Sequence, residues 1–353
     1  MRKILTAAVG LVFSGVAMAQ DVRLQGAGAT FPNPLYQRWV SEFQKSHPTV
    51  KIDYQSIGSG GGIKAITEKT VHFAGSDAPL SKKEIEALGG AAKIVQVPSC
   101  AGSVVPAYNL PGVTAEVKFT GEVLAEIFQG KISKWNDAKL TALNPGVALP
   151  DLAITPAWRT DGSGTTFVFT NYLATQSETF KGSIGTGKQV SWPAGQGGKG
   201  NEGVAAVVQQ TKGAIGYIEL NYAVANKIAF GLVKNPSGKF VKASAETVSA
   251  AGDGAAGTLS GTVLAADIWN QKGDDAYPIS SFTYLIVFSD LTNVKSTEEA
   301  KALSEFLWWS THEGQTLASS MDYAPLSKGV QAKVSDALTK ITYQGKPVGI
   351  KAK

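Results

Sequence analysis

Four segments of the chain share one design, in which small residues and hydroxyls form a turn before a helical pattern. They are GAGATF (26–31), IGSGGG (57–62), FAGSDAPLS (73–81) and WRTDGSGTTF (158–167). Backbone N–H groups at the start of a helix attract anions, and glycine lets a backbone approach a ligand closely. One such turn is usually only a helix cap. Four of them in one chain predict a site for an oxyanion.

The fourth segment also carries a charge of each sign. Arg159 can hold an anion through two N–H groups at once, and Ser163, Gly164 and Thr165 would add hydroxyl and backbone donors at a helix start. The carboxylate of Asp161 would repel an anion, so we expect it to pair with Arg159 and orient its guanidinium. The alternative is a surface arginine–aspartate pair beside a capped helix.

Asp77 in the third segment predicts which oxyanion is bound. A carboxylate beside an oxyanion is repulsive unless a proton lies between them. Phosphate carries a proton near neutral pH and sulfate carries none. A buried, donor-rich site with Asp77 as acceptor would therefore admit phosphate and reject sulfate. The alternative is that Asp77 only caps a turn.

The motifs of common enzymes do not fit these segments. A G-x-S-x-G elbow needs a glycine two residues before the serine. That position is Asp161 for Ser163 and Ile57 for Ser59, so neither serine lies in such an elbow. Phe31 stands where the dinucleotide fingerprint has its last glycine. None of the four segments contains a histidine that could act as a general base. We expect a binding protein rather than an enzyme, with a secreted phosphatase or serine hydrolase as the alternative.

Composition excludes several other classes. His47, His72 and His312 lack the spacing of metal ligands, and Cys100 has no second cysteine to pair with. We therefore expect neither a metal nor a cofactor. The chain carries a formal charge of +5, which is far too diffuse for a nucleic-acid surface.

The first nineteen residues have the pattern of a secretory signal. A basic start (Arg2, Lys3) precedes an apolar stretch, and Ala17-Met18-Ala19 forms a small-x-small cleavage site before Gln20. Cleavage there would leave 353 − 19 = 334 residues, a length that favours two domains. We expect an exported protein with neither a lipid anchor nor a membrane span.

Strand and helix patterns alternate along the chain, which predicts an α/β fold with largely parallel sheets. We predict a loop at 58–62, and in the glycine-rich stretch 192–203 an ordered connection within a domain. The remaining expectations are strands at 50–54, 93–97, 103–110, 152–155, 214–220 and 282–289, helices at 120–130 and 164–175, and helices from capping residues Ser81, Ser296 and Ser327.

Together with GQGGKGNEGVAAVVQ and GAIGYIE, the four segments make the chain resemble the periplasmic phosphate-binding proteins of ABC transporters. The resemblance implies a two-lobed, type II-like fold in which each lobe is a mostly parallel sheet flanked by helices. It implies a monomer that holds inorganic phosphate between the lobes and delivers it to a membrane permease. The implied lobe boundaries are 20–98 with 278–353 for one lobe and 99–277 for the other. The implied phosphate contacts are Thr30, Phe31, Ser59, Asp77, Arg159, Ser163, Gly164 and Thr165, supported by Asp161. The residues leave three alternatives open: another oxyanion, arsenate in particular; an enzyme; and a surface protein that binds phosphate groups of a host or matrix.

Overall fold

The computed structural model of the protein describes residues 21–349. The expected signal peptide, residues 1–19, lies outside the described residues. Within them, no helix is both long enough and apolar enough to cross a membrane.

Strands and helices alternate along most of the chain, as the sequence predicts for an α/β protein. The strands are β1 (Val22–Gly28), β2 (Val50–Ser56), β3 (Phe73–Ser76), β4 (Ile94–Tyr108), β5 (Lys118–Phe119), β6 (Thr155–Arg159), β7 (Gln196–Gly198), β8 (Ala214–Glu219), β9 (Ala229–Phe230), β10 (Leu232–Lys234), β11 (Phe240–Val241), β12 (Ser280–Phe288), β13 (Thr342–Tyr343) and β14 (Lys346–Pro347). The helices are α1 (Asn33–Ser46), α2 (Ser59–Thr67), α3 (Lys82–Ala87), α4 (Gly121–Phe128), α5 (Ala138–Leu143), α6 (Gly164–Gln176), α7 (Glu178–Ser183), α8 (Gly200–Gln210), α9 (Leu220–Ala225), α10 (Ala245–Gly252), α11 (Thr297–Thr311) and α12 (Lys328–Leu338).

The main sheet has the strand order β2-β1-β3-β12-β4-β8-β6-β7, with β9 also paired to β4. Strands β2, β1 and β3 are parallel at one end, and β8, β6 and β7 are parallel at the other. The central strands β12 and β4 run antiparallel to each other and to their outer neighbours. We call the β2-β1-β3-β12 side the first half and the β8-β6-β7 side the second half.

Strand β4 belongs to both halves. Its residues Ile94–Ser103 pair with β12, and Val104–Tyr108 pair with β8. The sequence predicts two strands here, separated around Pro98, whereas the structure has one buried strand of 15 residues. The ladder accommodates the interruption with a register shift opposite Thr283 and Tyr284, so that Ser99 has no direct partner. A bulge of this kind lets a strand bend without ending.

In each half, the parallel strands end at the edge where ligands usually bind in α/β folds: β1 and β3 in the first half, β6 and β7 in the second. The antiparallel pairings of β12 and β4 make these two sets of strands run in opposite directions. The helices that follow begin close to these strand ends. Helix α1 starts after Pro32 without a side-chain cap, and the Ser163 hydroxyl caps α6. The predicted caps Ser81, Ser296 and Ser327 are confirmed at α3, α11 and α12.

Two further local predictions were wrong. The glycine run 58–62 is not a loop, since helix α2 already begins at Ser59. The strand expected at 152–155 starts only at Thr155. The residues before it pair with another segment: the backbone N–H of Trp135 donates to the Leu152 carbonyl, and Lys134 forms an isolated bridge with Ala153. The stretch 192–203, predicted as an ordered connection, is irregular at 192–195 and also contains the short strand β7 and the start of α8.

The lobe boundaries 20–98, 99–277 and 278–353 stay a prediction. Residues 262–266, near the end of the predicted segment 99–277, make contacts that bear on the boundary at 277. Gln96 is bonded to the backbone of Thr262 and Leu264, and Tyr284 is bonded to Ala266. Residues 262–266 therefore lie against β4 and β12 of the first half.

Candidate anion-binding site

The structure brings together the side chains that the four segments contribute. Strand β1 leads to Thr30 and Phe31, strand β3 to Asp77 and strand β6 to Arg159, while α2 and α6 supply Ser59 and Ser163–Thr165. The residues named for this site that are at most 4% exposed are Thr30, Phe31, Ser59, Asp77, Arg159, Ser163 and Thr165. Gly164 is also buried, and Asp161 is partly exposed.

Arg159 and Asp161 form an ion pair at the end of β6. The Arg159 Nε donates to Asp161 Oδ1 over 2.8 Å, and Nη2 lies 2.5 Å from Oδ2. The backbone N–H of Gly200 adds a third bond to this carboxylate, at 3.0 Å. Burial opposes ionisation of Asp161, but the bonds from Arg159 and Gly200 hold the pKa of its carboxyl below the usual value. The guanidinium is thus fixed in place, and its Nη1 donates to Thr165 Oγ1 at 3.2 Å.

The start of helix α6 reaches across to the first half. Ser163 Oγ accepts the N–H of Thr166 at 3.0 Å and so caps the helix. The N–H of Gly164 donates to Ser59 Oγ at 3.1 Å. Gly164 has to be a glycine here, because a Cβ would lie 2.4 Å from Asp77 Oδ2 and 2.5 Å from Ser59 Oγ.

Asp77 is a buried carboxyl surrounded by hydroxyls. Thr283 Oγ1 donates to its Oδ1 at 2.9 Å, and its Oδ2 lies 3.5 Å from Ser59 Oγ. Burial raises the pKa of Asp77 to about 7, although the Thr283 bond and the charge of Arg159 act in the opposite direction. Asp77 can therefore hold or release a proton near neutral pH.

The turn after β1 is held by groups from distant parts of the chain. Thr30 Oγ1 accepts bonds from the backbone N–H of Asn201 at 3.1 Å and from its Nδ2 at 2.7 Å. Tyr222 Oη donates to the Thr30 carbonyl at 2.6 Å. Tyr323 Oη lies 2.7 Å from the carbonyl oxygen of Phe31. These bonds fix both carbonyls of the turn.

Asn201, Thr283, Tyr222 and Tyr323 are residues of the site that sequence reasoning missed. Each lies far along the chain from the segment it contacts, so no local spacing connects them. Asn201 alone had a signal in the sequence, since it ends the run GGKGN inside the glycine-rich stretch 192–203.

The two halves touch around the site. The N–H of Gly60 donates to the carbonyl of Gly162 at 2.8 Å, and their Cα atoms approach so closely that a Cβ on Gly60 would lie 3.2 Å from Gly162 Cα. Glu84 and Lys188 form a half-buried ion pair between the halves. The two halves are in contact at this point, and the polar side chains of Ser59, Ser163 and Thr165 are fully buried.

The assembled groups are suited to holding an oxyanion. They comprise one fixed guanidinium, backbone N–H groups at a helix start and several hydroxyls, with Asp77 as a carboxyl that titrates near neutral pH. Oxygen atoms of a buried anion need such donors to replace water. In residues 21–349, no group of three or more histidine, cysteine, aspartate or glutamate side chains is arranged to hold a metal ion.

A model described as a PBP superfamily domain matches residues 15–313. The phosphate-binding protein PstS of Pasteurella multocida is 42% identical over 92% of this chain and 93% of its own length. PstS of Haemophilus influenzae is 41% identical over 92% of this chain and 95% of its own. The chain belongs to the PstS phosphate-binding protein family. This confirms the resemblance that the motifs predict.

Solved structures of similar fold confirm the predicted fold class. One is a phosphate-binding protein from Stenotrophomonas maltophilia, with a TM-score of 0.67 and 21% identity, covering 90% of this chain and 94% of that one. Another is a phosphate ABC transporter substrate-binding protein from Clostridium perfringens, described with bound phosphate. Its TM-score is 0.62 at 20% identity, covering 86% of this chain and 100% of that one. At these identities the likeness shows the fold alone.

Proposed function

We propose that this protein is a periplasmic receptor that binds inorganic phosphate in the cleft between its two halves. It delivers the anion to the membrane permease of an ABC transporter and performs no chemistry on it. Its relatives of 41–42% identity carry the name phosphate-binding protein. The proposed contacts are those that the sequence indicates: Thr30, Phe31, Ser59, Asp77, Arg159, Ser163, Gly164 and Thr165, with Asp161 holding Arg159.

The observation that carries the proposal is the combination of many buried donors with one proton-accepting carboxyl. Arg159 provides a full positive charge that is less than 5% exposed, and the hydroxyls and N–H groups around it are donors. Asp77, with a pKa of about 7, can accept the proton that phosphate carries. Sulfate and molybdate offer no proton to this carboxyl, whereas arsenate does.

The partner and the compartment follow from the same function. A closed cleft presents a surface that a permease can distinguish from the open one. Export requires removal of residues 1–19, so mass spectrometry of the secreted protein should find Gln20 at or next to its N-terminus. We propose that the receptor acts as a monomer, with lobe boundaries near 98 and 277.

Isothermal titration with phosphate, arsenate and sulfate at one pH and ionic strength tests the function. We expect strong binding of phosphate, measurable binding of arsenate and very weak binding of sulfate. A protein that binds sulfate as well as phosphate, or that does not bind phosphate, would refute the proposal. Turnover of a phosphate monoester by the purified protein would favour the enzyme alternative.

A further inference from the structure

Asn201 joins the two halves of the molecule at the site. It is the second residue of helix α8 and is fully buried. Its Nδ2 lies 2.7 Å from Thr30 Oγ1, in the turn after β1, and 3.1 Å from Thr165 Oγ1, in the first turn of α6. One amide thus contacts a hydroxyl from each half.

The orientation of this amide is fixed by the backbone. The N–H of Glu219, at the end of β8, donates to Asn201 Oδ1 at 2.9 Å. Because a backbone N–H can only donate, the atom facing it has to be the oxygen. The NH₂ group therefore faces the two threonines, and it can only donate to them.

The hydrogen bonds of each threonine can now be counted. A hydroxyl has two acceptor sites and one proton to donate. Thr30 Oγ1 accepts from the backbone N–H and from Nδ2 of Asn201. Thr165 Oγ1 accepts from Nδ2 of Asn201 and from Nη1 of Arg159. Both acceptor sites of both oxygens are occupied, and within residues 21–349 neither hydroxyl donates to a protein acceptor.

We propose that Asn201 is a positioning residue of the phosphate site, which obliges Thr30 and Thr165 to donate their protons to the bound anion. The inference rests on the proposed function and deepens it. A threonine hydroxyl could otherwise turn and present a lone pair, which would repel an anionic oxygen. Asn201 removes that freedom in both halves, so the closed cleft offers the anion two preset donors.

Two substitutions separate this role from simple packing. N201A removes the amide donors, so the two threonine hydroxyls can rotate. Because these hydroxyls are then no longer preset as donors, phosphate affinity should fall about tenfold. N201D has almost the same shape but can only accept, so the hydroxyls would turn toward it and a negative charge would face the anion. Its affinity should fall by roughly 100-fold or more. If Asn201 only filled space, N201D would bind phosphate more tightly than N201A, because aspartate resembles asparagine in shape more than alanine does.

Asn144 supplies a matched control. It is also buried, its Oδ1 accepts a backbone N–H from Lys118, and its Nδ2 donates to the carbonyls of Lys118 and Leu140. N144D should lower the urea midpoint as N201D does, while its phosphate affinity stays at the wild-type value. Equal losses of affinity in N144D and N201D would show a general effect of destabilisation and would overturn the inference.

A double-mutant cycle with Thr165 covers the case in which N201D does not fold. If Asn201 acts through the hydroxyl, N201A combined with T165V should weaken phosphate binding by clearly less than the product of the two single losses. Fully multiplicative losses would overturn the inference. Titration of the wild type with inorganic phosphate keeps the two proposals apart. A wild type that fails to bind refutes the function, whereas a wild type that binds with unchanged N201A and N201D variants refutes only the role of Asn201.

Discussion

Replacing Asp77 by asparagine would test the basis of anion selectivity. The side chain is 1% exposed, its Oδ1 accepts the Thr283 hydroxyl and its Oδ2 lies beside Ser59 and Gly164. D77N keeps this shape and removes the titratable proton acceptor. Its NH₂ group can donate to an unprotonated oxygen, which the ionised carboxyl of the wild type cannot do.

The two anions should respond in opposite directions. Phosphate loses one charge-assisted hydrogen bond of about 1.5–3 kcal/mol and is also freed from a nearby negative charge, so its affinity should fall by about tenfold. Sulfate loses only the repulsion, and like charges in contact cost several kcal/mol. At about pH 8.5, where the wild-type carboxyl is largely ionised, D77N should bind sulfate at least about tenfold more tightly than the wild type, and the phosphate-to-sulfate ratio should then fall by about 100-fold.

The pKa of Asp77 adds a second test within the wild type. Because this pKa is about 7, the carboxyl of the empty protein is largely protonated at about pH 5.5 and largely ionised at about pH 8.5. A protonated Asp77 can donate to sulfate much as asparagine does. Sulfate affinity of the wild type should therefore rise as the pH falls through this range, while that of D77N stays nearly constant.

Competition titrations at fixed ionic strength, at both pH values, measure these effects directly. Sulfate itself does not change protonation in this range, so a change in its affinity reports on the protein. If folded D77N keeps the wild-type ratio, or if wild-type sulfate binding does not depend on pH, then Asp77 only caps a turn. Selectivity would then depend on other residues.

Three further predictions follow from the same contacts. R159A should weaken phosphate binding by about 2–5 kcal/mol, because it removes the buried charge and leaves Asp161 without its ion-pair partner. S163A should weaken phosphate binding by only about 1–2 kcal/mol. Calorimetry that shows equal, small losses in both variants would place the site elsewhere. The folded pKa of Asp77 is about 7 against an ordinary 3.8, so the folded state binds more protons between these values and the free energy of unfolding should fall by up to about 4 kcal/mol as the pH rises through this window. Urea unfolding of the ligand-free protein should show that slope, reduced in D77N by the contribution of Asp77; identical slopes would contradict the raised pKa. T283V removes a hydroxyl that donates to Asp77, so the pKa of Asp77 should rise further, as NMR titration of the aspartate carboxyl carbons would detect; a lower pKa would exclude this role of Thr283.

The sequence predicts the segments of the site better than the elements between them. Turns rich in glycine and hydroxyls have a local cause, because the same short stretch supplies both the helix start and the donors. For this reason 158–167 could be interpreted without knowing any partner. The same local logic failed at 58–62, where glycine normally disfavours a helix. There the requirement is tertiary: a Cβ on Gly62 would lie 2.5 Å from Gly28 Cα, so α2 can pack against β1 only with glycine at this position.

The residues that support the site could not be found by such patterns. Asn201 becomes a partner of Thr30 only because β8 and β6 place α8 opposite the turn after β1, 171 positions away. Thr283 reaches Asp77 because β12 lies beside β3. Each of these pairings depends on strand order, which one sequence does not reveal. The sequence also does not show that Asp77 titrates near neutral pH, because its raised pKa results from burial by the whole folded chain.

The continuity of β4 has a consequence for how the molecule unfolds. This strand is buried over its full length and supplies the central neighbour of β12 in the first half and of β8 in the second. A domain joined to another by a mobile linker can melt by itself, but neither half here can lose β4 without depriving the other of its inner strand. We therefore expect the two halves to unfold together. A destabilising change deep in either half should then lower the stability of both, and the amide protons of β4 should be among the slowest to exchange with solvent.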